Sequence, residues 1–125
     1  ASSDSCNTFV DRKSAADFIG TLSFHNLKRF KAEIEKAQGL DSYLFVVIED
    51  TLESVIIEAK KFRKNSSYAF VFHNMREICH KYPRRVQFLF SGSREKSQAL
   101  IPKLLVHGRR LWKTDLQYYI DRKKI

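Results

Sequence analysis

Residues 43–49, Tyr43-Leu44-Phe45-Val46-Val47-Ile48-Glu49, run apolar until their last position. A strand with one solvated face alternates polar and apolar residues, whereas this run has apolar side chains for both faces. Such a strand belongs inside a sheet with helices stacked on either side. Two shorter apolar segments read as its companions. Thr8-Phe9-Val10, within a strand over 7–12, delivers Asp11, and Val86-Gln87-Phe88-Leu89-Phe90 forms a third strand.

The segments between them carry helical spacing. Ser14 is a good N-cap with Asp17 three positions on, so a helix begins there. Phe24, Leu27, Phe30, Ile34 and Ala37 recur at helical intervals over 24–38, and Gly39 comes next as a stop. Leu52, Val55, Ile56, Ala59 and Phe62 form a stripe behind the cap Thr51. Tyr68, Val71, Phe72, Met75, Ile78, Cys79 and Tyr82 form another behind Ser66 and Ser67, ended by Pro83. Ser91-Gly92-Ser93 opens a helix through Ala99, Leu100, Leu104 and Leu105, which Pro102 should kink or interrupt and Gly108 should close. Leu111, Trp112, Leu116, Tyr119 and Ile120 predict one final helix that docks on the body, with Trp112 as a docking residue. Strands alternating with helices give an α/β fold.

The 125 residues predict a single domain over 1–125. With 43% hydrophobic and 13% aromatic residues an ordered core is expected. The net charge of +9, from 23 Lys and Arg against 14 Asp and Glu, suits a polyanionic partner, nucleic acid first. Cys6 and Cys79 lack CxxC spacing, which argues against a structural zinc; both read as reduced, Cys79 as a small core residue. His73 and His80 stand two helical turns apart, about 10 Å, too far for joint metal ligation. No 18-residue apolar run or signal peptide is visible, so the expected setting is intracellular, cytoplasm or nucleus unresolved, with no membrane partner.

The densest chemistry lies in Val10-Asp11-Arg12-Lys13-Ser14-Ala15-Ala16-Asp17-Phe18. In a strand Asp11 and Lys13 point the same way, about 6–7 Å apart along it. A carboxylate there can hold a divalent cation, and the neighbouring ammonium can meet a phosphate or orient an attacking water.

Asp11-Arg12-Lys13-Ser14-Ala15-Ala16-Asp17 resembles the ERKxxxD signature of XPF-type nucleases, a branch of the PD-(D/E)XK superfamily, with Asp in place of the first Glu. Phe18-Ile19-Gly20-Thr21-Leu22 is similar to that family's short helix after the motif. Arg29-Phe30-Lys31-Ala32-Glu33 is similar to its Arg-Leu-x-x-Gln helix, and 43–49 to its next buried strand. The resemblance implies a restriction-endonuclease-like core, a mostly parallel sheet flanked by helices, here without its leading strands. It implies a Mg²⁺- or Mn²⁺-dependent endodeoxyribonuclease, acting on branched or flap DNA in repair or recombination, often as a homo- or heterodimer. Under that likeness Asp11 is a metal ligand, the Arg12 carbonyl completes the metal shell, and Lys13 is the electrostatic or water-orienting group. Asp17 acts behind them, orienting Arg12 or Lys13, and Glu49 can also face the site.

Plainer readings stand beside these. Asp17 also fits a helix N3 position; Glu49 and Asp50 also suit a helix start. Arg12 and Arg29 can contact DNA phosphates or be solvated charges. Lys60, Lys61, Arg84 and Arg85 can track a phosphate backbone or simply face water, as can the clusters at 109–113 and 122–124. The family's upstream Gly-Asp-Tyr acid has no counterpart. Asp4 is the only acid before Asp11, so the missing acid is expected on a preceding segment of a larger protein. The competing expectation is a non-catalytic basic DNA-binding or dimerisation module with a relic nuclease fold. An RNA-binding α/β domain is a third reading, without an aromatic RNA-binding strand to support it.

Overall fold

The computed structural model describes residues 7–23, 26–38, 41–61 and 68–125. Strand β1 (Thr8–Lys13) is followed by helices α1 (Ala15–Thr21) and α2 (Leu27–Gln38). Strand β2 (Tyr43–Ile48) leads into α3 (Leu52–Lys60) and α4 (Tyr68–Lys81). Strand β3 (Val86–Phe90) precedes α5 (Arg94–His107), a 3-10 turn (Gly108–Leu111) and α6 (Leu116–Asp121). The three strands form one parallel sheet in the order β1-β2-β3. The chain is therefore α/β, a small parallel sheet flanked by helices.

Chain direction sets the layering. Crossovers between parallel strands share one hand, and two that advance in the same direction leave their helices on the same face. Phe18, Ile19, Phe30, Ile34, Val55, Ala59, Val71 and Ile78 from α1–α4 accordingly pack on Val46, Ile48, Val86 and Phe90. Among the described residues the chain beyond β3 covers the other face: Leu100, Leu104 and Leu116 pack there on Tyr43, Phe45, Val47 and Leu89. The run at 43–48 is buried on both sides for this reason.

Local signals act where expected. Ser14, Thr51 and Ser93 each accept a hydrogen bond from the backbone N–H three residues on, at 3.1 Å. Gly108 ends α5 at φ 32°, a conformation glycine tolerates. Trp112 docks, stacking on Tyr43 at 5.4 Å and donating its indole N–H to Thr8 Oγ1 at 2.9 Å.

Four expectations are corrected. Pro102 lies within α5 without interrupting it; it is exposed, so water can serve the carbonyl that loses its donor. Cys79 is exposed rather than in the core, although neighbouring chain desolvates its sulfur enough to push the thiol up, away from a reactive thiolate. The single final helix is a 3-10 turn and a six-residue α6, because Leu111 and Leu116 must both reach the sheet. Leu52 and Tyr68 are 42% exposed, at the outer ends of their stripes. Cys6, Asp4, Phe24, His25, Gly39, Phe62, Ser66 and Ser67 lie outside the described residues. No described helix is long and apolar enough to cross a membrane.

Asn74 is one of the polar residues buried among the described residues. Buried on α4, it donates to the Leu22 carbonyl at 2.8 Å and so ties α4 to the end of α1. Asn74→Ala should destabilise the fold by about 1–3 kcal/mol through the stranded carbonyl and the lost volume. An unchanged urea midpoint would remove Asn74 from this role.

Two tyrosines give the fold an alkaline limit. Tyr82 donates to Glu35 Oε1 at 2.5 Å, joining α4 to α2, with Lys81 at 3.5 Å from the same oxygen. Burial first, then Glu35, pushes the Tyr82 hydroxyl up to about 12, and burial does the same to Tyr43. A raised folded-state pKa stabilises fully below the unfolded value, about 10, and that contribution is lost as pH climbs towards 12. The Tyr82 bond also holds Glu35 below its ordinary value, a stabilisation lost only in acid. The urea midpoint should fall between about pH 10 and 12, and Tyr82→Phe should flatten the fall. An identical alkaline slope in that variant would contradict the assignment.

Candidate active site

Parity places the motif. Asp11 lies beside Val46 and Lys13 beside Ile48, so Phe9, Asp11 and Lys13 share the face covered by α1–α4. The Lys13 ammonium sits 3.1 Å from Asp11 Oδ2 and 6.0 Å from the centre of the Phe30 ring. The Lys13 side chain is 16% exposed and that of Asp11 35%, so the amine is held against the protein while the acid keeps an open side. The sequence placed these two groups side by side, and the structure brings them together.

The pair stands on an edge strand near the carboxyl end of a parallel sheet, where ligands of open α/β sheets gather. Backbone direction adds a donor. The Asn7 and Lys13 carbonyls accept from the N–H groups of Tyr43 and Glu49, each at 2.9 Å. Residues in step with them face β2, so the alternate residues Thr8, Val10 and Arg12 turn their N–H and C=O groups outward. The Arg12 carbonyl therefore points away from β2, one residue from the Asp11 carboxylate.

The remaining motif charges separate. Arg12 lies on the opposite face, its Nε 2.9 Å from Glu49 Oε1. Glu49 continues the strand parity of Tyr43, Phe45 and Val47, so it belongs to the α5 face and not to the Asp11 face. That corrects the expectation that Glu49 joins the site. Asp17 is exposed at the start of α1, where its backbone N–H bonds Ser14. Among the described residues its carboxylate orients neither Arg12 nor Lys13, since Glu49 and Asp11 do so.

The candidate phosphate contacts also divide. Arg29 is exposed near the start of α2, at the same end of the sheet as Lys13. Lys60 and Lys61 close α3 beside Tyr68, the first residue of α4, whereas Arg84 and Arg85 follow the other end of that helix and lead into β3. The fourteen residues of α4 span about 20 Å, which is the scale of that separation. Lys60 rests over the Tyr68 ring at 4.9 Å, Lys61 pairs with Glu58 at 3.5 Å, and Arg85 pairs with Asp41 at 3.0 Å. Arg84 is exposed, at φ 65°.

Among the described residues no three His, Cys, Asp or Glu side chains converge on a point. The donors present are one carboxylate and one outward carbonyl. Magnesium takes one or two carboxylates and keeps several waters, so this set fits a largely hydrated ion. A parallel α/β sheet with an acid–amine pair on its edge strand defines the class of molecule. Comparison with protein-family models, curated proteins and solved structures finds no match to this chain.

The pairing of Arg12 with Glu49 escaped sequence reading because it depends on register between β1 and β2. The usable signal was the odd-residue parity of 43, 45, 47 and 49.

Proposed function

We propose that this chain is a metal-dependent endonuclease hydrolysing DNA phosphodiester bonds, of the restriction-endonuclease-like PD-(D/E)XK type and its XPF-like branch, acting on branched or flap DNA. The observation that carries this reading is the 3.1 Å approach of the Lys13 ammonium to Asp11 on the open edge strand. Asp11, through the carboxylate oxygen turned from Lys13, and the Arg12 carbonyl would hold Mg²⁺ or Mn²⁺. Bound there, the ion supplies a Lewis acid for the phosphate and lowers the pKa of a coordinated water. Lys13 contributes fixed positive charge where a phosphate oxygen gains negative charge, and Asp11 holds that ammonium in place. Arg29, at the same end, can meet the incoming backbone.

A second reading has its own observation. The described residues offer the metal only one carboxylate, which favours a basic DNA-binding or dimerisation module that retains the fold without the reaction. Labelled flap and fork DNA incubated with Mg²⁺ or Mn²⁺ separates the two. Cleavage by the wild type that fails in Lys13→Ala supports the enzyme. Salt-sensitive binding without cleavage, equal in both proteins, supports the module; its salt slope counts the phosphates neutralised, about 0.9 per contact on duplex DNA.

A further inference from the structure

Strand β3 is the other edge of the sheet. The Arg85 carbonyl accepts from Leu44 N–H at 2.9 Å and Ser91 N–H donates to Ile48 at 3.0 Å. Residues in step with those two face β2, so Val86, Phe88 and Phe90 turn their backbone groups outward. Gln117 closes only the last of these, accepting from Phe90 N–H at 2.7 Å and donating to its carbonyl at 3.1 Å. Helices α3 and α4 on one face and α5 and α6 on the other border this edge, leaving an open cavity of about 1210 Å³. Ordinary small-molecule sites occupy roughly 300–1,000 Å³.

Its chemistry has two parts. Ile56, Phe72, Met75 and Phe88 supply an apolar wall. Arg76, Lys96, Lys103 and Lys123 line the same cavity, and among the described residues Glu53 and Asp121 are the acids that line it. Among the described residues none of the four cations is in an ion pair, while Asp121 accepts from Gln117 at 2.9 Å. Lys96 is placed by a glycine. At Gly92, φ +106°, an added Cβ would stand 3.3 Å from Lys96 Cδ and 3.5 Å from its Nζ, so the bare backbone leaves the ammonium room to fold over the strand–helix turn. A purely apolar occupant would leave these cations unmatched, and a bare polyanion would leave the wall wet.

We infer that this cavity binds an amphipathic anion, its apolar body against Ile56, Phe72, Met75 and Phe88 and its carboxylate or phosphate head at Lys96. The site lies at the opposite sheet edge from Asp11 and stands whether or not that pair is catalytic.

Calorimetric titration of the full chain with dodecanoate and dodecyl phosphate, each below its micelle concentration, and with dodecan-1-ol below its solubility limit, tests this. Saturable one-to-one binding is expected for the anions, and their relative affinity tells a fatty-acid head from a phosphate head. The alcohol should bind at least tenfold more weakly. Decanoate should bind on the order of fifteenfold more weakly than dodecanoate, since each buried methylene is worth roughly fourfold. Lys96→Glu should weaken both anions at least tenfold and leave the alcohol unchanged. Ala99→Trp, at an exposed α5 position lining the cavity, should fill it and weaken all three, with thermal unfolding unaltered. Equal affinity for alcohol and carboxylate, or indifference to both substitutions, overturns the proposal. So does absence of anion binding with a dimer that Ala99→Trp dissociates, which would assign the cavity to a second copy of this chain.

Discussion

On the proposed nuclease reading, Lys13→Ala should lower metal-dependent cleavage of flap DNA by about 10²–10³-fold, the usual consequence of deleting one preorganised charge from a transition-state site. The expectation rests on position as much as on charge. The ammonium is held between Asp11 Oδ2 at 3.1 Å and the Phe30 ring at 6.0 Å, so no reorganisation is needed when a phosphate arrives. Loss of the side chain removes that charge and frees Asp11 to move. Single-turnover cleavage at saturating DNA is the decisive measurement, because it separates the chemical step from binding. On the same reading DNA affinity should change far less, since Lys13 would be one phosphate contact among several. Lys13→Arg should restore only part of the rate, because a planar guanidinium does not reproduce a compact ammonium. A cleavage rate equal to wild type in Lys13→Ala would detach Lys13 from the reaction.

Phe45→Ala should be the most damaging single truncation in the sheet, at about 3–5 kcal/mol. Phe45 is fully buried on the central strand, its ring 4.9 Å from Tyr43, in the layer completed by Val47, Leu89, Leu100, Leu104 and Leu116. Neighbours on two strands and α5 cannot all collapse into the space left. For a chain of this size the melting temperature should drop on the order of 10–20 °C. Phe45→Leu, which removes fewer atoms, should lose distinctly less. Thermal unfolding monitored by circular dichroism decides it, and equal melting points for wild type and Phe45→Ala would mean the second layer is not the packed core described.

Much of the architecture was legible because it is written locally. The apolar run at 43–48 required two covered faces, and the structure has a helical layer on each. Ser14 and Thr51 announced helix starts through the same hydrogen bond seen at both. The Asp11–Lys13 pairing was readable because strand parity alone puts those side chains together. The misses depend on register or on distant partners. Glu49 falls on the far face from Asp11 because β1 and β2 align Asp11 with Val46. Cys79 comes after Ile78 on a helical stripe, yet Ile78 is buried and Cys79 is exposed. Pro102 is tolerated because its side of α5 meets water. The cavity at β3 collects residues from 51 to 125, and no window along the chain shows them as neighbours.

The Gln117 amide, bonded to both backbone groups of Phe90, substitutes for one rung of a fourth strand. An edge strand ordinarily offers a stranger's chain a template for growth, and proteins blunt it with charge, proline or a bulge. Here a side chain from the last helix occupies the final position, so an intruding segment would find the ladder truncated before it could lengthen. The same glutamine fastens α6 to the sheet, so shielding against self-association and anchorage of the carboxyl-terminal helix cannot be lost separately.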